Sequence, residues 1–514
     1  AFERGMAEEA AEIAAIAGSP EPPSFANTIE AVERSGRLLR RVGRVFHNLN
    51  ASATSEALDA IARDIAPKLA EHRMRLALDP GLFGRIAALH EAQDRLGLAP
   101  DQQRLLDRHH LRLCRAGARL GPEDQARMSA IAARLAELET RFGQNVLQDE
   151  DEWRLVLAAA DLAGLPDFAR AAAAAAARER GLDGQYVITL ARASIEPFLT
   201  FSSRRDLRRI AYEAWTGRGE QGEAGSARDN RPLLREILRL REEEARLLGY
   251  PSYAAYRLDD TMAKTPQAAG ELLRAVWEPA RRKAAAERAE LAAAALADGL
   301  NEALAPWDWR YYAEQVRQRD WDVDEAAVKP YFALDNIVAA AFDTARRLFG
   351  VSLLERADLP AYHPDVRVYE VREAGGRPLG LFLHDNFARP GKRSGAWMSS
   401  YREQHSLDGA VLPIVVNNNN FARGEPTLLS FDDARTLFHE FGHALHGLLS
   451  GVRYPSQSGT AVRRDFVEFP SQIFEHWVAE PEVLRRHARH CRTGETLPEG
   501  LLRELDKIAP HRGP

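Results

Sequence analysis

The sequence predicts a mainly α-helical protein with a small β-sheet placed just before one functional helix. Most of the first three hundred residues alternate charged and apolar side chains at helical spacing. Runs rich in β-branched residues begin only after Tyr331. The chain has 514 residues, of which 45% are hydrophobic, so it is long enough to bury a large core.

The N-terminal part shows the helical pattern clearly in residues 28–49, "TIEAVERSGRLLRRVGRVFHNL". Its apolar residues form one broad stripe at a period near 3.6. Asn27, with Glu30 three residues later, is typical of a helix N-cap with its reciprocal acid. We therefore expect a helix to start at Asn27.

The predicted sheet comes from two later stretches. Residues 367–387, "RVYEVREAGGRPLGLFLHDNF", predict two strands joined by a Gly-Gly turn. Residues 410–419, "AVLPIVVNNN", predict a further strand. A small sheet is therefore expected directly before the segment that carries the chemistry.

Charge and cysteine content limit the possible partners and compartments. The chain has 75 acidic and 69 basic residues, interspersed along its length, so no basic face for nucleic acid is expected. Its two cysteines, Cys114 and Cys491, offer no disulfide framework and suit a reducing compartment. The sequence shows neither a membrane-spanning run nor a signal peptide. We expect a cytoplasmic protein with no membrane partner.

The segment "HEFGH" at residues 439–443 predicts a metal site. Residues four apart share a helix face, so His439 and His443 can direct both imidazoles at one ion. Glu440 lies about 100° round the helix from His439, beside that ion. Two imidazoles, a carboxylate and a water suit zinc. Three fixed positions also arise by chance, but this pattern lies within a predicted helix, as the site requires.

A third ligand must come from elsewhere. His446 is seven residues from His439, about 10 Å along the helix, and is expected to have a packing or supporting role. Residues 463–480 place Asp465, Glu468, Gln472 and Glu475 at helical spacing on one face, with Pro470 in the first turn or at a kink. Spacing alone does not choose among these carboxylates, and a solvated acidic face is the alternative.

Longer motifs carry a resemblance to a known family. They are "FHEFGHALHGLLSGVRYPSQSGTAVRRDFVEFPSQIFEHW", "FARPGKRSGAWM", "WDWRYYAE" and "PSFANTIEAVERSGRLLRRVGRVFHNL". The chain resembles the thimet oligopeptidase and neurolysin family of zinc metallopeptidases, and most of all the bacterial peptidyl-dipeptidase (dipeptidyl carboxypeptidase) branch. The resemblance implies that His439, His443 and Glu468 bind one Zn²⁺ per chain and that Glu440 is the general base.

The same resemblance implies a two-lobed, neurolysin-like zincin with a deep substrate channel. We expect an N-terminal helical region at residues 1–204 and the catalytic region at residues 205–514. Peptide substrates would lie along a sheet edge, for which residues 380–397 are the candidate strand. Arg389, Lys392 and Arg393 either attract a substrate carboxylate or make the surface soluble. Asp465 either orients a ligand histidine or caps a helix.

The implied function is hydrolysis of short peptides, with release of C-terminal dipeptides by a zinc-activated water. A monomer is expected if the chain is full length. Members of the family continue past the segment equivalent to residues 504–510 with a Gly-, His- and Tyr-rich part. The alternative is therefore a truncated, catalytically impaired relic that binds zinc and peptide. Cleavage of internal bonds would instead indicate an oligopeptidase A-like endopeptidase.

Overall fold

A computed structural model describes residues 1–220, 228–321 and 325–508, so the last part of the predicted catalytic region, residues 509–514, lies outside it. The helices are α1 Phe2–Ala17, α2 Ala31–Arg34, α3 Arg37–Ser52, α4 Glu56–Ala77, α5 Pro80–Glu91, α6 Pro100–Ala116, α7 Pro122–Glu152, α8 Asp167–Arg178, α9 Arg192–Phe201, α10 Arg205–Thr216, α11 Asn230–Leu247, α12 Tyr253–Leu258, α13 Pro266–Ala297, α14 Trp309–Trp321, α15 Glu325–Val328, α16 Leu334–Phe349, α17 Phe431–Leu448, α18 Phe469–Glu475, α19 Pro481–His487 and α20 Glu499–Ile508. The strands are β1 Leu155–Leu157, β2 Tyr186–Ile188, β3 Ser352–Glu355, β4 Arg367–Arg372, β5 Pro378–Phe387, β6 Trp397–Arg402 and β7 Ile414–Phe421. The predicted fold class, mainly α with a small sheet, is confirmed.

The first predicted helix begins earlier than expected and is interrupted. Ser24, not Asn27, is the N-cap, because its hydroxyl accepts the Asn27 N–H while Asn27 Oδ1 accepts the Ser24 N–H at 2.8 Å. A π-helical turn follows at Phe25–Glu30. Gly36, with φ of 67°, then separates α2 from α3.

The main sheet has five strands in the order β3-β4-β5-β7-β6. The predicted β4–β5 hairpin and the predicted strand β7 are both present. The prediction that residues 380–397 form an edge strand is wrong, because β5 pairs with β4 on one side and with β7, in parallel, on the other. The edge beside β7 is β6, which starts at Trp397.

The largest hydrophobic cluster lies between this sheet and the helices α16 and α17. Phe441 of α17 contacts Phe382 of β5 and Phe474 of α18, with ring centroids 5.3 and 5.7 Å apart. These aromatic contacts fix α17 against both the sheet and α18. Residues 439–443 are therefore held in place by packing of α17 against the sheet and α18.

The proposed division between residues 204 and 205 stays a prediction. A separate hydrophobic cluster includes Phe198 on one side of this point and Ala211 on the other. Within the three described segments, no helix combines the length and apolar character needed to span a bilayer.

Candidate metal centre

The helix α17 carries both predicted histidine ligands. Ser430 caps it, since its hydroxyl accepts a hydrogen bond from the Asp433 N–H at 3.0 Å. In return, the Asp433 carboxylate accepts one from the Ser430 N–H at 3.0 Å. His439 and His443 are one turn apart, with ring centroids separated by 4.9 Å. The apolar side of α17 packs on the core, while His439 is partly exposed and His443 is buried.

Glu468 comes to the two histidines from outside α17. Its Oε2 lies 3.1 Å from His439 Nε2 and 3.0 Å from His443 Nε2. Among the described residues these three form the group of candidate metal ligands, with ligand atoms within 4.8 Å of one another. Tetrahedral zinc with bonds of about 2.0–2.2 Å sets its ligand atoms roughly 3.3 Å apart. The donor set, two imidazoles and one carboxylate, therefore fits a catalytic zinc.

Glu475 supports the first histidine, a role that the sequence did not reveal. Its carboxylate accepts from His439 Nδ1 at 2.9 Å. Because a carboxylate only accepts, Nδ1 carries the hydrogen and the Nε2 lone pair of a neutral ring is free for a metal. Burial alone would lower the pKa of His439, but Glu475 and the nearby acids raise it above its ordinary value. The sequence signal that could have indicated this role is that Glu475 follows Glu468 by seven residues, about two helical turns.

Glu440 is a buried carboxylate beside this cluster. Burial raises its pKa to about 7 and repulsion from Glu468 adds to the rise, while attraction to His439 and the nearby Met398 N–H oppose it. A bound dication would lower this pKa again. Its Oε2 is buried and has no protein partner among the described residues. The contact with Met398 places Glu440 against the edge strand β6.

His446 and Asp465 both lie outside the candidate ligand group. Asp465 neither contacts a ligand histidine nor caps α18, because its carboxylate accepts the backbone N–H groups of Met262 and Ala263 at 2.8 to 3.0 Å. Residues 465–468 precede α18, so the expected continuous acidic helix face is wrong. Through these bonds, Asp465 holds the segment before Glu468 against residues 262–263.

Both expectations for Arg389 and Lys392 are wrong. The Lys392 side chain is 0% exposed and donates to Asp385 Oδ1 at 2.8 Å and to the Phe387 carbonyl at 3.0 Å. Arg389 forms two bonds with the same Asp385, at 2.7 and 2.6 Å. Arg393 is exposed, which fits either of the two expectations for it. The two buried cations hold the loop between β5 and β6 in place.

Comparisons with known proteins identify the family. The family model described as "Peptidase family M3" matches residues 198–509, which is more than half of the chain. The chain belongs to peptidase family M3. It is therefore a metallopeptidase, and the resemblance inferred from its motifs is confirmed.

Relatives of this M3 chain include two proteins from Escherichia coli K12. Dipeptidyl carboxypeptidase is 42% identical over 511 residues, covering 98% of this chain and 74% of that protein. Oligopeptidase A is 34% identical over 492 residues, covering 94% and 72%. The higher identity agrees with the predicted branch.

A solved structure designated oligoendopeptidase F supports the fold. It matches with a TM-score of 0.56 at 14% identity and covers 95% of this chain and 69% of that one. At this identity the likeness shows a shared architecture and nothing about substrates.

Proposed function

We propose that this metallopeptidase binds one zinc ion per chain at His439, His443 and Glu468 and releases dipeptides from the C-termini of short peptides. The convergence of two imidazoles and one carboxylate beside the buried Glu440 carries the proposal. Dipeptide release is supported by the 42% identity to dipeptidyl carboxypeptidase. The donor set is that of a catalytic zinc site with one position left for water.

The chemistry divides between the metal and the chain. When bound, zinc supplies the Lewis acidity that polarises the scissile carbonyl and lowers the pKa of a water. Glu440 takes the proton of the attacking water and passes it to the leaving amine. Glu475 holds His439 in the tautomer that ligation requires.

The edge strand β6 is the proposed support for the peptide backbone. Among the described strands it pairs with β7 alone, although Arg44 and Asn48 of α3 donate to its Ser400 carbonyl at 3.4 Å, so the rest of its outer side can pair with an extended chain. A cavity of about 880 Å³ lies between β6 and the N-terminal helices, with Trp397, Ser399 and Ser400 in its wall. This volume is in the range of ligand sites. Because Met398 contacts Glu440, a peptide along β6 passes the general base.

The test uses purified residues 1–514 and an oligopeptide with a free C-terminus, with dipeptides identified by mass spectrometry. The wild type should release dipeptides, and a chelator should stop this. Glu440→Gln should retain one zinc but lose about 10² to 10⁴ in rate. Glu242→Gln, an exposed change on α11, is the control and should be fully active.

Each other outcome contradicts a named part of the proposal. Equal cleavage of a C-terminally amidated peptide, or of internal bonds, would favour an endopeptidase. Bound zinc without chelator-sensitive release would favour a protein that binds zinc and peptide without turnover. An unchanged rate in Glu440→Gln would remove Glu440 as general base.

We also propose a cytoplasmic, monomeric enzyme whose catalytic region begins near residue 205. The two cysteines, Cys114 and Cys491, are unpaired. This supports a reducing compartment. Sedimentation of the purified chain tests the monomer, and limited proteolysis near residue 205 tests the division.

A further inference from the structure

Asn417 of β7 is an unusual residue for the interior of a protein. It is 0% exposed, and neither Oδ1 nor Nδ2 of its amide has a hydrogen-bond partner among the described residues. A buried polar group without a partner costs about 1–3 kcal/mol. Such a group in a native structure calls for an explanation, and a functional role is one of them.

The side chain of Asn417 points to α17. Val415, two residues earlier on the same face of β7, has its Cγ2 3.2 Å from the position that a Cβ on Gly447 would take. Met398, which pairs with Asn417 across the β6–β7 ladder, has its Cε 2.8 Å from the same position. Residues paired in this way point to the same face. Both neighbours therefore place the Asn417 amide against α17.

The height of Asn417 along α17 follows from the two ends of the helix. Gly447, near the end of α17, lies beside Val415 at the start of β7. Asp432 and Thr436, near the start of α17, line one cavity together with Phe421 at the end of β7. The helix therefore runs opposite to the strand. Two residues of strand span about 6.6 Å, which equals about four residues of helix. Asn417 is therefore level with the turn around residues 440–444.

Two catalytic side chains in that turn also have a buried atom without a protein partner. They are Glu440, through Oε2, and His443, through Nδ1. The Met398 N–H lies near the Glu440 carboxylate, on the strand that pairs with Asn417. An amide offers a donor that suits a carboxylate and an acceptor that suits an imidazole N–H. The unpaired atoms on the two sides thus match in chemical type.

We propose that Asn417 is a positioning residue for Glu440 and His443. These atoms make no direct bond to one another among the described residues, so the amide acts through buried water, with Nδ2 as donor towards Glu440 Oε2 and Oδ1 as acceptor from the side of His443 Nδ1. The water-mediated bond to His443 leaves Nε2 free to face the metal, as Glu475 does for His439. The inference rests on the proposed function, in which these residues are general base and ligand.

Asn419 provides a matched control on the same face of β7. Its Nδ2 donates to Asn386 Oδ1 at 2.9 Å, so this amide has a structural partner, although its Oδ1 has none among the described residues. Leucine has nearly the same shape as asparagine. Asn419→Leu removes that bond and should lower the melting temperature. Asn417→Leu removes an amide that makes no direct protein hydrogen bond among the described residues, so it should lower the melting temperature by less than Asn419→Leu does.

The experiment measures kcat and KM at saturating zinc, zinc affinity, and the melting temperature of the zinc-free protein. For Asn417→Leu we expect kcat to fall about 10- to 100-fold and zinc to bind at least about 10-fold more weakly. KM should stay within about twofold, because no substrate contact is lost. The melting temperature of the zinc-free protein should fall by less than it does in Asn419→Leu. Asn419→Leu should show the reverse pattern, with a lower melting temperature and a smaller change in kcat.

Two results would overturn the inference. One is wild-type kcat and zinc affinity in Asn417→Leu. The other is a melting temperature that falls as far as in Asn419→Leu, which would indicate a structural role. If the wild type releases no dipeptide, the proposed function fails. In that case the zinc affinity and the melting temperature of the zinc-free protein still test the role of Asn417.

Discussion

Replacing Gly442 by alanine should force apart the two helices of the metal centre. A Cβ at this position would lie 2.7 Å from Ser471 Cα and 2.9 Å from Phe474 Cβ, both on α18. Carbon atoms in contact prefer about 3.5–4.0 Å, so α18 must move by about 1 Å. The obstacle includes backbone, which cannot rotate away. Glu468, the proposed carboxylate ligand, directly precedes α18, and Glu475, the partner of His439, is its last residue. Both side chains therefore move when α18 moves.

The expected change in the free energy of unfolding of Gly442→Ala is the difference between two opposing effects. Alanine gains about 1 kcal/mol over glycine in a helix, while overpacking costs about 1–3 kcal/mol. Stability should therefore be unchanged or fall by up to about 2 kcal/mol. Zinc ligands must hold their distances within about 0.2 Å, so a 1 Å shift should weaken zinc binding by at least about 10-fold.

Competition with a coloured chelator measures the zinc Kd, and thermal unfolding measures stability. The control is Gly143→Ala in α7, where nothing lies within 4 Å of the new Cβ. It should leave zinc binding unchanged and keep or raise the melting temperature. A Gly442→Ala protein that binds zinc as the wild type does, with no loss of stability, would refute the close contact as the reason for glycine here.

Two further predictions concern acidic side chains. Glu475→Gln should weaken zinc binding about 10- to 100-fold by loosening the orientation of His439, and an unchanged Kd in the same chelator assay would argue against that role. Asp385→Asn leaves Arg389 and Lys392 buried without their acid and should cost about 3–5 kcal/mol in urea unfolding at pH 7. Burial alone would raise the pKa of Asp385, but Arg389 and Lys392 reverse this and lower it. The stabilisation is thus complete above the ordinary aspartate pKa of about 3.9 and disappears as pH falls through the lower folded value, so the two proteins should converge in acid and not in base.

The sequence predicted best what depends on short stretches of chain. The pattern around His439 and His443 needs only one helix and its spacing, and the β4–β5 hairpin needs only its turn. Glu468 was one of several acids by spacing, and only the longer resemblance selected it. The structure brings all three side chains together, while their roles stay predictions.

The wrong predictions for β5 and Lys392 share a cause, which is that both depend on packing against a neighbouring strand. Whether β5 is central or an edge depends on β7, whose pairing no local pattern reveals. The burial of Lys392 depends on Asp385 and on the neighbouring strand, although the local sequence "RPGKRSG" is typical of an exposed loop. Glu475 was visible on the acidic stripe, but its partner His439 is 36 residues away.

The enclosure of Lys392 has a consequence for chemical labelling. It is one of only six lysines in the chain, and its ammonium group is sealed by Asp385 and backbone carbonyls. An amine-directed reagent can reach it only when the loop between β5 and β6 opens. The extent of covalent modification at Lys392 therefore counts opening events of that loop, directly beside the strand on which a substrate is proposed to lie.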